Sequence, residues 1–336
     1  MKNRDKHILI VGGAGYIGSH TNKMLSNSGY KTIVLDNLIY GHEEFVKWGT
    51  FIEGDIADKT VLEFVFSNYN IQAVMHFSAF AYVGESVSKP SKYYINNVVN
   101  TINLLDVMVE YNVKNFIFSS TCATFGEPEY IPVDENHPQK PLSPYGKTKL
   151  MVEEILADYE VAYGLKHIIL RYFNAAGADP DCEIGEDHDP ETHLIPLVLD
   201  AAMGKRDNIS VFGTDYDTKD GTCVRDYIHI NDLAKAHMLG LEWMLKNKKS
   251  NNFNIGNGEG FSVKQIIDVA KKVTGNNIPV NYTERRDGDP ATVVGSYDKV
   301  EKVLGWKPEF NNIESIIETA WAWHLKRHQP KLNKAG

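Results

Sequence analysis

Short apolar runs alternate with longer amphipathic stretches along the first half of this 336-residue chain. The runs are rich in Val, Ile and Phe, and they read HILIVGG, KTIVLDN, AVMHFSA, NFIFSST and HIILRYFN. Strands that are apolar throughout are typical of parallel sheets covered by helices on both faces. The alternation therefore predicts an α/β fold with a doubly wound parallel sheet.

Polar residues end several of these runs, namely Asp36, Ser78, Thr121 and Asn174. In open parallel sheets, ligands bind at the carboxyl ends of the strands. We therefore expect these residues to mark the functional edge of the sheet.

A glycine-rich turn, ILIVGGAGYIGSH, joins the first apolar run to a helical stretch. It can be read as GxxGxxG from Gly12 or as GxGxxG from Gly13, and both readings use Gly15 and Gly18. A tight turn, a close approach to a pyrophosphate and intimate helix packing each require the absence of a Cβ. The phosphates would then meet the amides of the helix N-terminus.

Asp36 follows the glycine turn by about 20 residues and closes the second apolar run, as in dinucleotide-binding Rossmann folds. Its carboxylate would accept hydrogen bonds from the adenosine ribose and repel a 2′-phosphate, which favours NAD over NADP. Asp55 and Ile56, after a third short run, could flank the adenine, although an Asp at a strand end is often only a cap.

The stretch LSPYGKTKLMVEE begins like a helix, with Ser143 as its cap and Pro144 in the first helical position. The start of a helix is the positive end of its macrodipole, which favours acidic residues. This helix instead carries Lys147 and Lys149 in its first turns. The unfavourable position of the lysines indicates a function for at least one of them.

Tyr145 and Lys149 are four residues apart, which places them on one face of the helix. The same face continues with apolar positions and is predicted to point inward: Val152, Leu156 and Tyr159. A phenol has an ordinary pKa of about 10. One cation about 5 Å away contributes about 3 kcal/mol at an effective dielectric of 20, slightly less than a working base at neutral pH needs. We expect Lys149 together with a positively charged nicotinamide ring to suffice.

Three hydroxyls, Ser119, Ser120 and Thr121, end the run NFIFSST. At the carboxyl end of a strand they could hold a substrate oxygen close to Tyr145. Each could equally be an ordinary strand-end hydrogen-bonding group.

The residue composition changes after Asn174. The stretch AAGADPDCEIGEDHDPETH is rich in Gly, Pro and acidic residues, which is typical of a loop, and it begins a second region. RDYIHINDLAKAHMLGLEWML is predicted to form a strand, a cap at Asp232 and a helix, and NNFNIGNGEG a further strand that can return to the first sheet. We expect a Rossmann domain at 1–177 plus about 226–257. A smaller α/β substrate-binding domain would comprise about 178–225 plus 258–336.

Composition excludes several classes of protein. A net charge of −9 argues against a nucleic-acid partner, and no apolar run is long enough for a membrane span. Cys122, Cys182 and Cys223 show no CxxC spacing, which suits a cytoplasmic protein with free thiols. His188 and His193 lie near Cys182, but this spacing matches no zinc pattern, so no metal is predicted.

The glycine turn, the strand-end hydroxyls and the Tyr-x-x-x-Lys pair together resemble the extended short-chain dehydrogenase/reductase superfamily. Within it, the chain is similar from end to end to the UDP-glucose 4-epimerases. The motifs that carry this likeness include GGAGYIGSH, VGESV.KP, SPYGK.KLMVE, RYFN.AGA, VFG.DY.T.DGT.VRDYIH and RR.GD. DGTCVRDYIH is far more specific than the glycine turn.

The resemblance implies roles for individual residues. Tyr145 would be the base and acid, Lys149 its partner and a ribose ligand, and Thr121 a neighbour of the sugar hydroxyl. The residues implied to bind NAD are Gly12, Gly15, Tyr16, Ile17, Gly18, Asp36, Asn37, Asp55, Ile56, Phe77, Asn96, Tyr145, Lys149 and Phe173. Those implied to hold the UDP-sugar are Thr121, Tyr145, Asn174, His193, Leu194, Phe212, Arg225, Tyr227, Arg286, Asp289 and Val293.

The resemblance also implies a reaction. Tyr145 would remove the proton of the sugar 4-hydroxyl while hydride passes to NAD⁺, and the 4-keto sugar would rotate and take the hydride back on its other face. UDP-glucose and UDP-galactose would thereby interconvert in galactose metabolism. The family further implies a cytoplasmic homodimer formed by helix pairing.

Three positions depart from some relatives. Ala81 replaces a lysine that reaches the pyrophosphate, His193 replaces an asparagine, and Val293 replaces a bulky tyrosine. A smaller side chain at 293 leaves room for an N-acetyl group. We therefore expect activity on UDP-N-acetylglucosamine and UDP-N-acetylgalactosamine as well.

Two other readings share much of this pattern. A 4,6-dehydratase or a sugar-acid decarboxylase has the same fold and Tyr/Lys pair, but dehydratases add carboxylates just after the strand-end hydroxyl, where this chain has Cys122 and Ala123. A non-catalytic NAD-sensing protein usually loses the tyrosine or the lysine, and this chain keeps both.

Overall fold

A computed structural model describes residues 6–286 and 288–328 of the chain. The strands are β1 His7–Val11, β2 Lys31–Asp36, β3 Thr50–Glu53, β4 Ile71–His76, β5 Asn115–Thr121, β6 Lys166–Tyr172, β7 Asn174–Ala176, β8 Ile209–Phe212, β9 Val224–His229, β10 Asn251–Ile255, β11 Gly260–Ser262, β12 Val280–Thr283 and β13 Thr292–Val293.

Helices follow most of the strands. They are α1 Tyr16–Asn27, α2 Lys59–Asn68, α3 Val83–Ser88, α4 Pro90–Tyr93, α5 Asn100–Glu110, α6 Pro144–Tyr163, α7 Leu194–Ala202, α8 Ile230–Asn247, α9 Val263–Thr274, α10 Asp298–Leu304 and α11 Ile313–His328. Short 3-10 helices span Glu43–Phe45 and Cys122–Thr124, and a π-helical turn spans Tyr94–Val99.

The principal sheet has seven strands in the order β10-β6-β5-β4-β1-β2-β3, and every adjacent pair is parallel. Alternate residues of β1 contribute side chains to two separate cores, because Leu9 packs on one face of the sheet and Ile10 on the other. Both are fully buried. The predicted doubly wound sheet is confirmed, and the strand ends align along one edge.

Strand β9 is the centre of a smaller sheet, where it pairs with β7, β11 and β13. Strands β8 and β12 form a separate two-stranded sheet. Helices α7, α9 and α11 bury a third core against these strands, with Ile195, Ile266 and Ile316 among its members. After this excursion β10 returns to the edge of the principal sheet beside β6, as its sequence suggested. The two domain ranges remain a prediction.

Helix α8 begins differently from the prediction. Its cap is His229, whose ring accepts a hydrogen bond from the Asn231 amide, and Asp232 lies inside the first turn. The Asp232 carboxylate instead accepts hydrogen bonds from the amides of Glu309 and Phe310. The predicted cap at Asp232 was therefore wrong, because a distant segment competes for this carboxylate. The described residues form no helix that is both long and apolar enough to cross a membrane.

Candidate active site

The glycine turn is built so that only some of its glycines are needed by the fold itself. Gly12 has φ +78°, and a Cβ there would lie 2.5 Å from the Ser78 amide nitrogen. A Cβ on Gly18 would lie 2.2 Å from the Gly12 carbonyl oxygen. At Gly15, by contrast, a Cβ would meet no described atom closer than 3.5 Å. Gly15 therefore keeps open a space that the fold does not use.

The start of α1 can accept an anion at this space. Gly15 is its N-cap, and no side chain within the described ranges caps it. The first-turn amides of Tyr16, Ile17 and Gly18 have no carbonyl partner inside the helix. Since the first turn also lacks acidic residues, these amides and the helix dipole suit a diphosphate. The Tyr16 side chain points elsewhere, because its hydroxyl donates to the Gly177 carbonyl at 2.6 Å.

Asp36 lies beside the turn at the end of β2. Its two carboxylate oxygens accept hydrogen bonds from the amides of Ala14 and Leu38, both at 2.9 Å. Burial raises the pKa of Asp36, and these amides oppose the rise. The carboxylate is thus held rigidly where the predicted ribose would lie.

The predicted adenine residues meet at the ends of β2 and β3. Asn37 donates from its side chain to Asp55 at 2.7 Å. Ile56 is buried in the core beneath them. Asn37 and Asp55 therefore form a polar rim, whereas the Ile56 side chain contributes mainly to packing.

Three further residues predicted to bind NAD surround the same edge. Phe77 follows β4 and packs its ring 4.8 Å from that of His237. Asn96 lies in the π-helical turn and donates to the side chain of Asn97. Phe173 follows β6 and is buried against Phe125. Such π-helical turns are frequent at functional sites.

Helix α6 delivers the Tyr/Lys pair to the end of β5. Ser143 caps it by accepting from the Gly146 amide at 3.1 Å, and Pro144 is its first residue. Both Tyr145 and Lys149 are buried, as the pattern of the helix face predicted. Lys149 donates from Nζ to the Ser119 carbonyl at 2.9 Å.

The electrostatics of this pair differ from the expectation. Burial raises the pKa of Tyr145, and a hydrogen bond with the Thr121 side chain partly opposes the rise. Burial also lowers the pKa of Lys149 to about 7, with the charge of Glu153 acting against that fall. Burial thus opposes both the ionisation of Tyr145 and the protonation of Lys149. That a bound positive charge assists Lys149 in making Tyr145 a base stays a prediction.

Glu153 was not predicted, and it completes this face of the helix. It lies one turn beyond Lys149 and accepts from the Ser120 hydroxyl at 2.5 Å. Arg171 on β6 donates to it from Nη2 at 2.6 Å and from Nε at 3.0 Å. Both charged side chains are buried. An arginine inside the apolar run HIILRYFN was the signal in the sequence.

Four of the residues predicted to bind the UDP-sugar form one cluster. Asp289 accepts from Nε of Arg286 at 2.9 Å and lies 3.6 Å from the guanidinium of Arg225. The Arg286 guanidinium lies over the ring of Phe212, 4.7 Å from its centre. Two cations with one anion leave a net positive charge, which suits a diphosphate.

Val293 connects this cluster to the Tyr/Lys pair. It pairs in register with Arg225, and its side chain packs in the apolar group that includes Phe173 and Cys122. Cys122 directly follows Thr121. The position that distinguishes this chain from bulkier relatives therefore lies close to the sugar hydroxyl contacts.

Asn174 and Tyr227 are adjacent across β7 and β9. The Asn174 side chain donates to the Asp226 carbonyl at 2.8 Å, and Tyr227 is buried in the third core. Leu194 begins α7 and packs partly on the same core. Asn174, Tyr227 and Leu194 thus lie at or next to β9, the strand that carries Arg225.

His193 is engaged with acidic neighbours. Its Nδ1 lies 2.8 Å from the Glu186 carboxylate and 3.0 Å from that of Glu191. Despite the opposing effect of burial, these two carboxylates raise the pKa of His193 to about 10. The structure thus places His193 with Glu186 and Glu191, and a role toward a sugar remains a prediction.

Comparisons with known proteins agree with this arrangement. The sequence profile of the NAD dependent epimerase/dehydratase family matches residues 8–256. The UDP-glucose 4-epimerase of Rhizobium meliloti (strain 1021) is 50% identical over 326 residues, covering 97% of this chain and 99% of that protein.

Two solved structures are also similar. The UDP-glucose 4-epimerase from Brucella ovis in complex with NAD superposes with a TM-score of 0.92 at 49% identity, over 94% of this chain and 98% of that one. The UDP-Glc/GlcNAc 4-epimerase from Campylobacter jejuni gives 0.84 at 43%, over 96% and 99%. This chain belongs to the NAD dependent epimerase/dehydratase family.

Proposed function

We propose that this protein is a UDP-glucose 4-epimerase that uses NAD to interconvert UDP-glucose and UDP-galactose. The observation that carries the proposal is the meeting of Tyr145, Lys149 and Thr121 at the edge where the glycine turn opens. The activity named for relatives at about 50% identity supports it. The space at Gly15, the bare start of α1 and the rigid Asp36 carboxylate fit the diphosphate and ribose of NAD.

When bound, NAD⁺ would supply the acceptor for the hydride of sugar carbon 4 and, once reduced, the donor for its return to the opposite face of the sugar. Tyr145 takes the proton from the 4-hydroxyl and later gives it back. Thr121 would orient that hydroxyl, because its side chain lies close enough to the Tyr145 phenol to lower the pKa of the phenol. Lys149 is held by the Ser119 carbonyl and would bind the ribose of the cofactor.

Epimerisation requires the sugar to turn over while its carrier stays bound. Arg225 and Arg286 would hold the diphosphate, and Asp289 keeps both guanidinium groups in place. Val293 packs with apolar groups, and a sugar placed beside them would make few directional contacts. Tight binding at the nucleotide end and loose binding of the sugar suit such a rotation.

The direct test is to incubate the purified protein with UDP-galactose and to follow UDP-glucose and NADH together. We expect UDP-glucose to form with no net NADH. Net reduction would indicate a dehydrogenase, loss of water a dehydratase, and inertness an NAD sensor. The Tyr145→Phe variant is the control, because it removes the proton-transfer group and retains the aromatic ring.

We further propose that the enzyme acts on the N-acetylated UDP-sugars. Val293 supports this, because its short side chain packs in one apolar cluster with Cys122, next to Thr121, and with Phe173. The relative from Campylobacter jejuni is named for both sugars. Val293→Tyr should abolish turnover of UDP-N-acetylglucosamine and preserve that of UDP-glucose. The proposal is refuted if kcat/KM of the unaltered enzyme for UDP-N-acetylglucosamine is no higher than background.

We also infer a cytoplasmic homodimer. Ile95 and Val99 are 57% and 49% exposed in the π-helical turn, and Met151 is 40% exposed on α6, which packs against that turn. An exposed apolar face on neighbouring helices suits helix pairing. Ile95→Glu should convert a dimer into a monomer in light-scattering measurements, whereas Tyr282→Glu, at an exposed position on β12, should not.

A further inference from the structure

The loop before α7 gathers two imidazoles and two carboxylates, of which only His193 was predicted to contact the UDP-sugar. The residues are Glu186, His188, Glu191 and His193, and one ligand atom from each lies within 4.8 Å of the others. Their spacing, E-x-H-x-x-E-x-H, matches no zinc pattern, and the sequence alone predicted no metal. The fold of the loop brings them together.

The distances from His188 in this group match those between ligands that share one ion. A tetrahedral zinc ion with bonds of about 2.0–2.2 Å separates its ligands by about 3.3–3.6 Å. Nδ1 of His188 lies 3.4 Å from Glu186 and 3.6 Å from Glu191, within that range. Nδ1 of His193 lies 2.8 and 3.0 Å from the same two carboxylates, so it must move away from both of them to bind the ion with them.

His188 provides an independent observation. Its Nδ1 is buried and has no hydrogen-bond partner among the described residues. The nearest carboxylate oxygens are farther away than the range of about 2.7–3.2 Å for N–H···O hydrogen bonds. Buried polar atoms normally have a partner. An ion at the centre of the group would supply it.

We propose that Glu186, His188, Glu191 and His193 bind a Zn²⁺ ion. Nitrogen and carboxylate donors in a four-ligand set favour zinc over calcium or magnesium, which prefer oxygen donors. Two carboxylates and two neutral imidazoles balance the charge of the ion. Since the chain fills all four positions, the site is structural and not catalytic. The exposed side of His193, 46% accessible, provides the entry path.

The ion would stabilise the loop against the start of α1. The Tyr16 ring packs edge-on against His188, with 6.2 Å between ring centres. The Tyr16 hydroxyl donates to the carbonyl of Gly177, which follows β7 of the smaller sheet. Zinc would thus link this loop to the helix that begins at the glycine turn.

The test uses the holoenzyme, stripped of metal with EDTA and titrated with ZnCl₂ at pH 8. Bound zinc is measured by mass spectrometry after desalting, together with the melting temperature. We expect one zinc per chain and a higher melting temperature. Deprotonated imidazoles bind metal, so uptake should fall as the pH is lowered.

Two variants, His188→Gln and His193→Gln, should each weaken zinc binding at least 10-fold. His7→Gln is the control, because His7 is half-buried on β1 and belongs to none of the groups of potential metal ligands among the described residues. Far-UV circular dichroism and retained NAD establish that each variant is folded. The proposal is overturned if the unaltered protein binds no zinc, or if both variants bind it as tightly as the control. Neither result bears on epimerase activity, which is measured separately.

Discussion

Glu153 on α6 and Arg171 on β6 form a buried ion pair, with Nη2 of the arginine 2.6 Å from the carboxylate. This pair lies one helical turn from Lys149, and the charge of Glu153 supports the protonated state of that lysine. Glu153 therefore adjusts the charge beside Tyr145 without contacting a substrate.

Replacing Glu153 with Gln should move the alkaline limb of the pH profile of kcat to lower pH. Without the carboxylate the pKa of Lys149 falls, so the cation is lost earlier as the pH rises. The expected shift is about one pH unit. Glu154→Gln removes a charge from the next position on the same helix and should leave the profile unchanged. An equal shift in both variants would contradict a specific effect of Glu153.

Two glycines of the turn should respond differently to alanine. Gly18→Ala places a Cβ 2.2 Å from the Gly12 carbonyl oxygen and should lose both stability and NAD. Gly15→Ala meets no described atom closer than 3.5 Å, so the fold should persist while the cofactor binds poorly. The NAD content and melting temperature of each variant are the measurements. Full NAD occupancy in Gly15→Ala would show that the diphosphate does not lie there.

The protein should lose stability steeply below about pH 6.5. Burial lowers the pKa values of His20 and His237 to about 4, and those of His76 and His229 to about 3. Between those values and about 6.5 the unfolded chain binds more protons than the folded chain, so acid favours unfolding. Four such groups contribute up to about 5 kcal/mol per pH unit.

Urea unfolding of the holoenzyme at several pH values measures this slope. His76→Gln should reduce it by about one proton, or about 1.4 kcal/mol per pH unit. An unchanged slope in that variant would mean that His76 titrates normally in the folded protein.

Neighbouring arginines should differ in their effect on substrate binding. Arg286 lies with Arg225 at Asp289, whereas Arg285 pairs with Asp215. Losing one charge-assisted hydrogen bond to a diphosphate, worth about 1.5–3 kcal/mol, should raise the KM of Arg286→Gln for UDP-glucose about 10- to 100-fold. Steady-state kinetics should show little change in Arg285→Gln. Similar KM values in both variants would show that Arg286 does not bind the diphosphate.

Local patterns predicted the principal sheet because most of its strands are apolar runs, as around Leu9 in β1 and Phe118 in β5. Strands β3 (TFIE) and β10 (NNFNI) are exceptions. The inward face of α6 was predictable for the same reason, since the spacing of Tyr145 and Lys149 decides which side they share. Both features depend on residues close together in the sequence.

Contacts between distant segments could not be predicted from such patterns. The pairing of Glu153 with Arg171 requires β6 to lie beside α6. The Asp232 carboxylate accepts hydrogen bonds from the amides of Glu309 and Phe310, which are more than 70 residues away in the sequence. The fall in the pKa of Lys149 likewise depends on burial from every side, which no spacing reveals.

The return of β10 to the edge of the principal sheet has a consequence for biosynthesis. The outer neighbour of β6 is β10, which is not fully translated until residue 255, long after the glycine turn. A nascent chain that stops near residue 177 therefore leaves one edge of β6 without its partner. Because a bare strand edge is a template for pairing with other chains, we expect that edge to be prone to aggregation until β10 pairs with it.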